Sequence, residues 1–553
     1  MDPENSLINK NTRHQHLRDI LILLSIALVL GAFLILTTVV VSKDSVGYIW
    51  RAKWLQQYPD EGSLLYDWRA QYLLENPNEK INPTELLAER PCGYELLILL
   101  SYRIFHVITG NNSIQGWIWA AQGLTLLCKA LAVVPLYLIG CLITCRKSSF
   151  WGCVILLFLP EPAQWGSDVL REWPYLLFLT LSILSLLYGI RKNRAWPFAL
   201  TGLFAGVGFL ICLQSMQLVL LGLLILSLLM LKPPNHFIRS KVLIAAFFLI
   251  AGFAGPVLVY AYYSGQITNN YLKDYIAKVL PACNDSAVEE ADTPTTKDSD
   301  TAIDRAPGSE VVKGPDTTVE DTSETEVGGT LPRFAYELYK DAGELLVWFY
   351  IPFWVIGLYL RLRNKADPMV RCIIGGLILM GTGMILMRYF YKEAIVTQRW
   401  VFPMVALTTF YIYAGIEQVS LWAEHKKAPN CKRPEKWSRI LVAVGILICL
   451  SKCFEPLGAD KKSYLEAADW ISTNSQQSDW FYTFDKRIPF YAERHQFEYD
   501  DVNAFLNPHD MQYLIIPAKD ERSMIHLPEG MIWEVSFGQK REFFIYRSEE
   551  SEP

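Results

Sequence analysis

The stretch "ILILLSIALVLGAFLILTTVVVSKDS", residues 20–45, decides the fold class of this chain. Its apolar part, about 22 residues long, is enough for one helix to cross a hydrocarbon core of roughly 30 Å. The run lacks a small-residue cleavage site and follows a polar start, residues 1–19, that carries three basic side chains. These features predict an uncleaved anchor with a cytoplasmic N-terminus. Asp44 then lies on the first turn of chain to leave the membrane.

Apolar windows of the same kind recur along the chain and explain its composition. Of the 553 residues, 52% are hydrophobic and 19% are charged, which is too apolar for an ordinary soluble protein of this size. After the first window, 20–41, the sequence has a shorter one at 149–160 and longer ones at 172–190, 196–212, 215–231, 241–263, 344–362, 369–388, 397–416 and 438–453. We therefore predict a polytopic α-helical protein of the inner or plasma membrane.

Clusters of Lys and Arg mark the cytoplasmic loops, because these residues resist translocation. They occur at 13–18, 146–147, 191–194, 232–241, 361–365 and 426–436. From Arg146 onward two apolar windows separate successive clusters, so each pair of windows forms a hairpin whose tip lies outside. With Asp44 outside and Arg146 inside, residues 93–144 cross an odd number of times, either once with an interfacial piece or three times with short helices. The total is 11 or 13 crossings, 13 being preferred, and the C-terminus lies outside.

Two outside segments interrupt the predicted membrane domain, 20–453. The first loop, 42–92, places aromatic and aliphatic residues at helical spacing opposite charged ones, which suits short helices lying in the membrane interface. Segment 283–330 holds 13 acidic against 3 basic residues, a net charge of −10, so the rest of the chain carries +5. This segment has too few large apolar residues to offset the entropy of folding, and it predicts a flexible acidic insertion.

The last hundred or so residues, 454–553, have the composition of a small soluble α/β domain. The run "KKSYLEAADWISTN" has a helical pattern, and "WFYTFD", "QYLIIPA", "MIWEVSF" and "EFFIYR" have strand patterns. Because the predicted number of crossings is odd and the N-terminus is cytoplasmic, this C-terminal module is predicted to be extracytoplasmic, on the same side as the loop that carries Asp44.

Two polar clusters on the predicted outer side come early in the chain, and each also has a plain structural explanation. In the first, Asp44 or Ser45 could cap an interfacial helix. In the second, "AERPCGYELL", Glu89 and Arg90 stand before a Pro that begins the next apolar run, as at an ordinary charged helix start.

A third cluster, "EPAQWGSDVLREWPYLL", lies in the outside tip of a hairpin. Asp168, Arg171 and Glu172 are spaced i, i+3 and i+4, so they share one face of a helix. They form either a self-satisfied ion cluster or part of a site.

The fourth cluster is "RYFYKEAIVTQRWVFP", in which Lys392 lies in an outside tip and Arg399 enters an apolar span. A cation inside a span is costly, and a phosphate is a natural partner for a guanidinium group; snorkelling of Arg399 to the interface is the alternative. Together the four clusters place acids and cations at one interface, which favours chemistry on a lipid-linked phosphate.

The order of these motifs resembles the membrane glycosyltransferases of the GT-C fold, specifically the bacterial relatives of protein O-mannosyltransferases and of the lipid A aminoarabinose transferase. An acid follows the first span, "ERPCGY" opens the next apolar segment, "SDVLRE" lies in the hairpin and "QRWVFP" in a late span. Cys92 departs from the second Pro that is common in the family. The resemblance covers roughly 20–420 and implies a GT-C membrane domain followed by the C-terminal module.

The resemblance also implies roles for individual residues. Asp44 would be the base that activates the acceptor, with Asp168 and Glu89 as further catalytic acids. The implied ligands of the lipid phosphate and sugar are Arg90, Tyr94, Glu172, Lys392 and Arg399.

The implied reaction is transfer of a sugar from a polyprenyl-phosphate-linked donor to an envelope acceptor, which could be a lipid, a glycan or a protein. Direct displacement at the sugar would invert the anomeric centre. The bilayer is the other expected partner, and no nucleic acid is expected. A divalent metal ion bridging Asp44 and Asp168 is left open, since two acids without a His or a DxD string do not define a metal site.

Two other classes of protein compete with this interpretation. A transporter or flippase for a lipid-linked glycan would also have a polar cavity on the outside, but the spans show no inverted repeat and few charges near their midpoints. A structural or sensory membrane protein would leave the interfacial loop and the four clusters unexplained.

Overall fold

The structure is a computed structural model that describes most of the membrane domain and the core of the C-terminal module. The described residues are 10–57, 92–231, 239–264, 331–363, 375–389 without 377, 380, 384, 387 and 388, 396–427, 435–476, 479–483, 485–498, 513–517, 531–538 and 543–548. Glu89, Arg90, Lys392 and the acidic segment 283–330 lie outside them.

The membrane domain consists of helices of very different length. In chain order they are α1 Lys10–Thr37, α2 Lys43–Gln57, α3 Gly93–Thr109, α4 Ile114–Ile143, α5 Arg146–Phe158, α6 Pro160–Trp165, α7 Glu172–Lys192, α8 Trp196–Ile211, α9 Met216–Leu231, α10 Arg239–Ser264, α11 Leu331–Leu345, α12 Ile351–Arg363, α13 Gln398–Thr408, α14 Phe410–Lys427 and α15 Glu435–Cys453.

Five stretches of helix within the described chain are long and apolar enough to cross a membrane. They are Arg13–Thr37, Ile114–Ile143, Glu172–Lys192, Leu213–Leu231 and Ser240–Tyr262. A sixth results if α13 and α14, which are bent by 61° at the break between them, form one span. The protein is therefore a helical membrane protein, while the total of 11 or 13 crossings stays a prediction.

Residues 93–144 contain two helices instead of the three short ones that 13 crossings require. Only α4, with 30 residues, passes as a span; α3 is a 17-residue amphipathic helix. Within this stretch the arrangement corresponds to the alternative of one crossing with an interfacial piece.

The predicted window 344–362 is also divided. Between α11 and α12 the backbone of Val347 and Trp348 adopts positive φ values of 55° each, so the helix cannot continue through them. Helix α11 is strongly amphipathic and buries Phe334 and Leu345 while it exposes Tyr336 and other aromatic side chains. Such a helix suits the membrane interface, with α12 alone continuing as a short apolar helix.

Helices α4 and α7 form the centre of the membrane domain. Within their apolar windows 61% and 67% of the residues are buried, against 22% and 17% for the spans in α1 and α10. The two peripheral helices expose large apolar side chains that would face lipid, such as Leu36 and Phe247. The tip between α6 and α7 and the start of α2 are thus supported by the most buried part of the domain.

The C-terminal module contains a five-stranded mixed sheet with helices packed on it. Its elements are α16 Lys462–Asn474, β1 Trp480–Thr483, α17 Arg487–Ala492, β2 His495–Glu498, β3 Tyr513–Pro517, β4 Met531–Phe537 and β5 Phe543–Ser548. The strand order is β2-β1-β3-β5-β4, with β1 parallel to both neighbours and the β3–β5 and β5–β4 pairs antiparallel. The four strand-like runs of the sequence form strands here, whereas β2 had no clear pattern.

Candidate active site

Three distant parts of the chain meet at the guanidinium group of Arg399, at the start of α13. Its Nη1 pairs with Oδ2 of Asp44 on the first turn of α2, and its Nε lies 3.7 Å from Oε1 of Glu172 at the start of α7. The Asp44 side chain is half exposed, whereas that of Glu172 is almost fully buried. Among the described residues no donor reaches Oε2 of Glu172. The arrangement offers one guanidinium group and one accessible carboxylate at the mouth of a buried polar cluster.

Ser42, and neither Asp44 nor Ser45, caps helix α2. The Ser45 amide donates to Ser42 Oγ at 3.4 Å, which is the geometry of an N-cap side chain accepting from the third helical residue. The cap expected from the sequence therefore lies on a neighbouring residue. Because Ser42 caps the helix, the carboxylate of Asp44 does not, and it pairs with Arg399 instead.

Asp168 fastens the start of α2 to the tip between α6 and α7. Its carboxylate is buried and accepts hydrogen bonds from Ser45 Oγ at 2.7 Å, from the Val169 amide at 2.8 Å and from the Ser42 amide at 3.3 Å. Burial raises the pKa of Asp168, and the hydrogen bonds oppose that shift. The carboxylate thus supports the backbone that carries Asp44 and is itself turned away from solvent.

The described residues do not fit a divalent metal ion held between Asp44 and Asp168. They contain no group of three or more His, Cys, Asp and Glu side chains in metal-binding geometry. The donors on Asp168 are amides and a hydroxyl, which already satisfy its oxygens.

Tyr94 lies beneath the site. Its hydroxyl is buried and forms a hydrogen bond of 2.9 Å with Thr125 Oγ1 on α4. Its ring packs edge-on against Tyr48 of α2, with 5.0 Å between the ring centroids. Burial raises the pKa of the Tyr48 phenol, which therefore stays protonated at neutral pH. Tyr94 supports the wall of the site through Tyr48.

Arg51 and Glu95, which the sequence did not single out, extend the charged cluster together with Arg171. Arg51 on α2 lies 3.5 Å from the buried carboxylate of Glu95 on α3, and Arg171 interacts electrostatically with Glu95 and Glu172. The cluster thereby brings the guanidinium groups of Arg51, Arg171 and Arg399 together with the carboxylates of Asp44, Glu95 and Glu172. The sequence signal was the position of Arg51 and Glu95 on amphipathic helices that flank the first loop.

Helix α13 lines an apolar cavity with side chains that begin at Trp400, the residue after Arg399. Its lining along α13 extends from Trp400 to Thr408, about 12 Å at 1.5 Å per helical residue. Its other lining residues include Leu179, Gln217, Gly381, Pro403 and Met404. The apolar lining thus starts one residue after Arg399 along α13.

Known proteins resemble this chain in sequence profile and in fold. The sequence profile of a family described as dolichyl-phosphate-mannose-protein mannosyltransferase matches residues 90–260, less than half of the chain. No curated protein sequence matches it.

Solved structures are similar over nearly the whole chain. ArnT from Cupriavidus metallidurans bound to undecaprenyl phosphate aligns with a TM-score of 0.54 and 10% identity, over 95% of this chain and 97% of ArnT. The archaeal oligosaccharyltransferase AglB from Archaeoglobus fulgidus, in complex with an inhibitory peptide and a dolichol-phosphate, aligns with a TM-score of 0.52 and 9% identity, over 99% of this chain and 75% of AglB.

The chain therefore has the GT-C fold, and the resemblance to GT-C membrane glycosyltransferases that the motifs predicted is confirmed. At such low identity the structures establish the fold, and the reaction has to be argued from the site.

Proposed function

We propose that this protein is an integral membrane glycosyltransferase that moves a sugar from a polyprenyl-phosphate-linked donor to an envelope acceptor on the extracytoplasmic side. The observation that carries the proposal is the meeting of Arg399 with Asp44 and Glu172 at the start of α13, the helix that also lines an apolar cavity from Trp400 onward. A guanidinium group there suits the donor phosphate, and the cavity suits its polyprenyl chain. The profile match and the two lipid phosphates bound in the related structures support the same substrate class.

Donor binding would free the base. Arg399 is paired with Asp44, and a phosphate that takes up the guanidinium group competes with that carboxylate for it. The negative charge that the phosphate adds also repels the Asp44 carboxylate. Asp44 becomes available as a base only when the donor is in place.

The transfer would then proceed in one step. The acceptor oxygen forms a bond to C1 of the sugar while the bond from C1 to the phosphate oxygen breaks. The acceptor proton passes to Asp44, and the bonding electron pair leaves with the polyprenyl phosphate beside Arg399. Attack from the face opposite the leaving group inverts the anomeric centre.

The other predicted residues would act around this centre. The contacts of Asp168 favour a role in holding Ser42 and Ser45, and thereby Asp44, over direct contact with substrate. Tyr94 would act in the same indirect way, through Tyr48. Glu89, Arg90 and Lys392 are proposed for this site from the order of motifs alone.

A transfer assay tests the function. Purified protein in lipid nanodiscs is supplied with a panel of labelled polyprenyl-phosphate sugars and a crude envelope fraction, and transferred label is measured. We expect one donor to label the envelope fraction. If no donor does so while the protein moves a lipid-linked glycan between leaflets, the flippase is the correct alternative.

A further inference from the structure

The C-terminal module lies directly on the short link that joins the first span to the helix carrying Asp44. This link is only five residues long, from the end of α1 at Thr37 to the start of α2 at Lys43. The Val39 amide donates to the Leu457 carbonyl at 2.9 Å, and the Val41 amide donates to the Tyr491 hydroxyl at 3.0 Å. Two of the backbone amides that precede α2 are thus held by the C-terminal part of the chain.

Close packing accompanies these hydrogen bonds. A Cβ atom on Gly458 would lie 2.4 Å from the Val40 carbonyl oxygen, so only glycine permits the approach. Phe490 of α17 is fully buried and packs edge-on against Trp50 of α2, with 6.2 Å between their centroids. Helix α17 therefore contacts both the link and the helix that follows it.

Within the module, α17 is itself firmly held. Arg487, its first residue, binds the Asp485 carboxylate through two nitrogens, at 2.9 and 2.6 Å. The guanidinium group also lies over the Tyr464 ring of α16, 4.9 Å from its centroid. Such a bidentate pair fixes orientation as well as distance. The position of Tyr491 is therefore set by the fold of the module.

We propose that the C-terminal module is a positioning element of the active site, and that Tyr491 is the residue through which it fixes the helix bearing Asp44. Val41 is fastened by Tyr491, and Ser42 and Ser45 are fastened by Asp168, so α2 is held from the module on one side and from the membrane domain on the other. Asp44 lies between these anchors. The catalytic meaning of this arrangement rests on the proposed function, because it takes Asp44 as the base.

The test compares Tyr491→Phe with Tyr513→Phe in the full-length protein. The first substitution removes only the hydroxyl that accepts from Val41. The matched control removes a tyrosine hydroxyl that bonds to the Asn474 carbonyl inside the module, at 3.3 Å. Hydrogen exchange of the peptide covering 38–46 is measured by mass spectrometry, and kcat and KM are measured in the transfer assay.

We expect amide exchange in 38–46 to be roughly 3- to 10-fold faster in Tyr491→Phe, the effect of one lost hydrogen bond, and unchanged in Tyr513→Phe. We expect kcat to fall by a similar factor with KM for the donor unchanged, because only the placement of the base is affected.

Unchanged exchange in Tyr491→Phe overturns the proposal, and so does unchanged kcat despite faster exchange, or an equal loss of kcat in Tyr513→Phe. If the parent transfers no sugar, the proposed function fails, while the exchange data still decide whether the module holds the link.

Discussion

Arg399 pairs with two carboxylates through different nitrogens of its planar guanidinium group. Nη1 faces Asp44, and Nε faces Glu172. This geometry distinguishes arginine from lysine, whose single ammonium group cannot hold both partners and a phosphate in fixed directions. Because the Arg399 side chain is only one-third exposed, the contacts are less screened than those of a surface pair. At the scale of single residues, the site depends on a guanidinium group more than on a positive charge.

Replacing Arg399 by Lys tests that dependence. We expect Arg399→Lys to raise KM for the polyprenyl-phosphate donor by about tenfold or more, since the planar fork on the phosphate is lost while the charge is kept. The control is Arg363→Lys, at an exposed arginine whose described contact is with Tyr359. Equal KM values for Arg399→Lys and the parent would mean that the phosphate does not bind there.

The acids and the cation of the centre could be recognised from sequence, because each stands at the edge of an apolar window on the same predicted side. Ser42 and Tyr491 could not. The residue that caps α2 is Ser42, two residues before Asp44. Tyr491 is separated from its partner Val41 by 450 residues and belongs to the C-terminal module. Hydrogen bonds between backbone amides and distant hydroxyls leave no periodic pattern in a sequence.

At the scale of elements, α13 and the apolar cavity beside it define how the donor would enter. Gly381 lines the cavity, and a Cβ atom added there would have no neighbouring heavy atom within 4 Å among the described residues. A larger side chain at this position can therefore fill the cavity without forcing the backbone to move. The cavity wall is a separate feature from the charged centre and can be tested separately.

The substitution Gly381→Leu is expected to raise KM about tenfold or more for a long-chain donor, because the added side chain occupies the space for the polyprenyl tail. A short-chain donor should be affected much less. Gly383→Leu is the control, since its Cβ atom also meets open space but Gly383 does not line the cavity. An equal effect on both donors would place the tail elsewhere.

Helix α11 carries a buried acid that makes stability depend on pH. Burial, together with Glu344 and Glu337, raises the pKa of Asp341 to about 6, and no donor among the described residues reaches its Oδ2. The folded state then binds this proton more tightly than the unfolded state, whose carboxyl has a pKa of about 3.9. The stability that Asp341 contributes is therefore fully present below about pH 4 and is lost as pH rises through about 6.

We expect Asp341→Asn to exceed the parent in free energy of unfolding by more at pH 7 than at pH 4.5, by an amount on the order of 2 kcal/mol, and its gain in Tm over the parent to be larger at pH 7. Thermal unfolding in detergent measures this, with Asp469→Asn as the control at an exposed acid of α16. A difference in Tm that does not change between the two pH values would contradict the raised pKa.

Helix windows were predictable because bilayer thickness dictates their length, and most of them coincide with helices in the described chain. The breaks within these windows were not predictable from the sequence. Val347 and Trp348 are apolar residues that would continue a helix by composition, yet their backbone turns there. Likewise α13 and α14 lie in one apolar window but meet at 61°. Tertiary packing decides such breaks, and a hydropathy pattern does not record it.

At the scale of the whole molecule, the site exists only because the fold joins parts that are far apart in sequence. Asp44 follows the first span, Glu172 begins a central span, and Arg399 begins a late helix, while the C-terminal module rests on the link before α2. The predicted common side of these residues agrees with their meeting at one place. The orientation of the termini, cytoplasmic N and extracytoplasmic C, stays a prediction.

The most direct test of the account is the transfer rate of Asp44→Asn at saturating donor, measured beside the parent and the exposed-acid control Asp469→Asn. We predict a loss in kcat of about 10²- to 10⁴-fold for Asp44→Asn, with none for the control, because the amide cannot accept the acceptor proton. The parent product should have the inverted anomeric configuration. Undiminished transfer by Asp44→Asn, or retained configuration in the product, would contradict the proposal that Asp44 is the base in a single displacement.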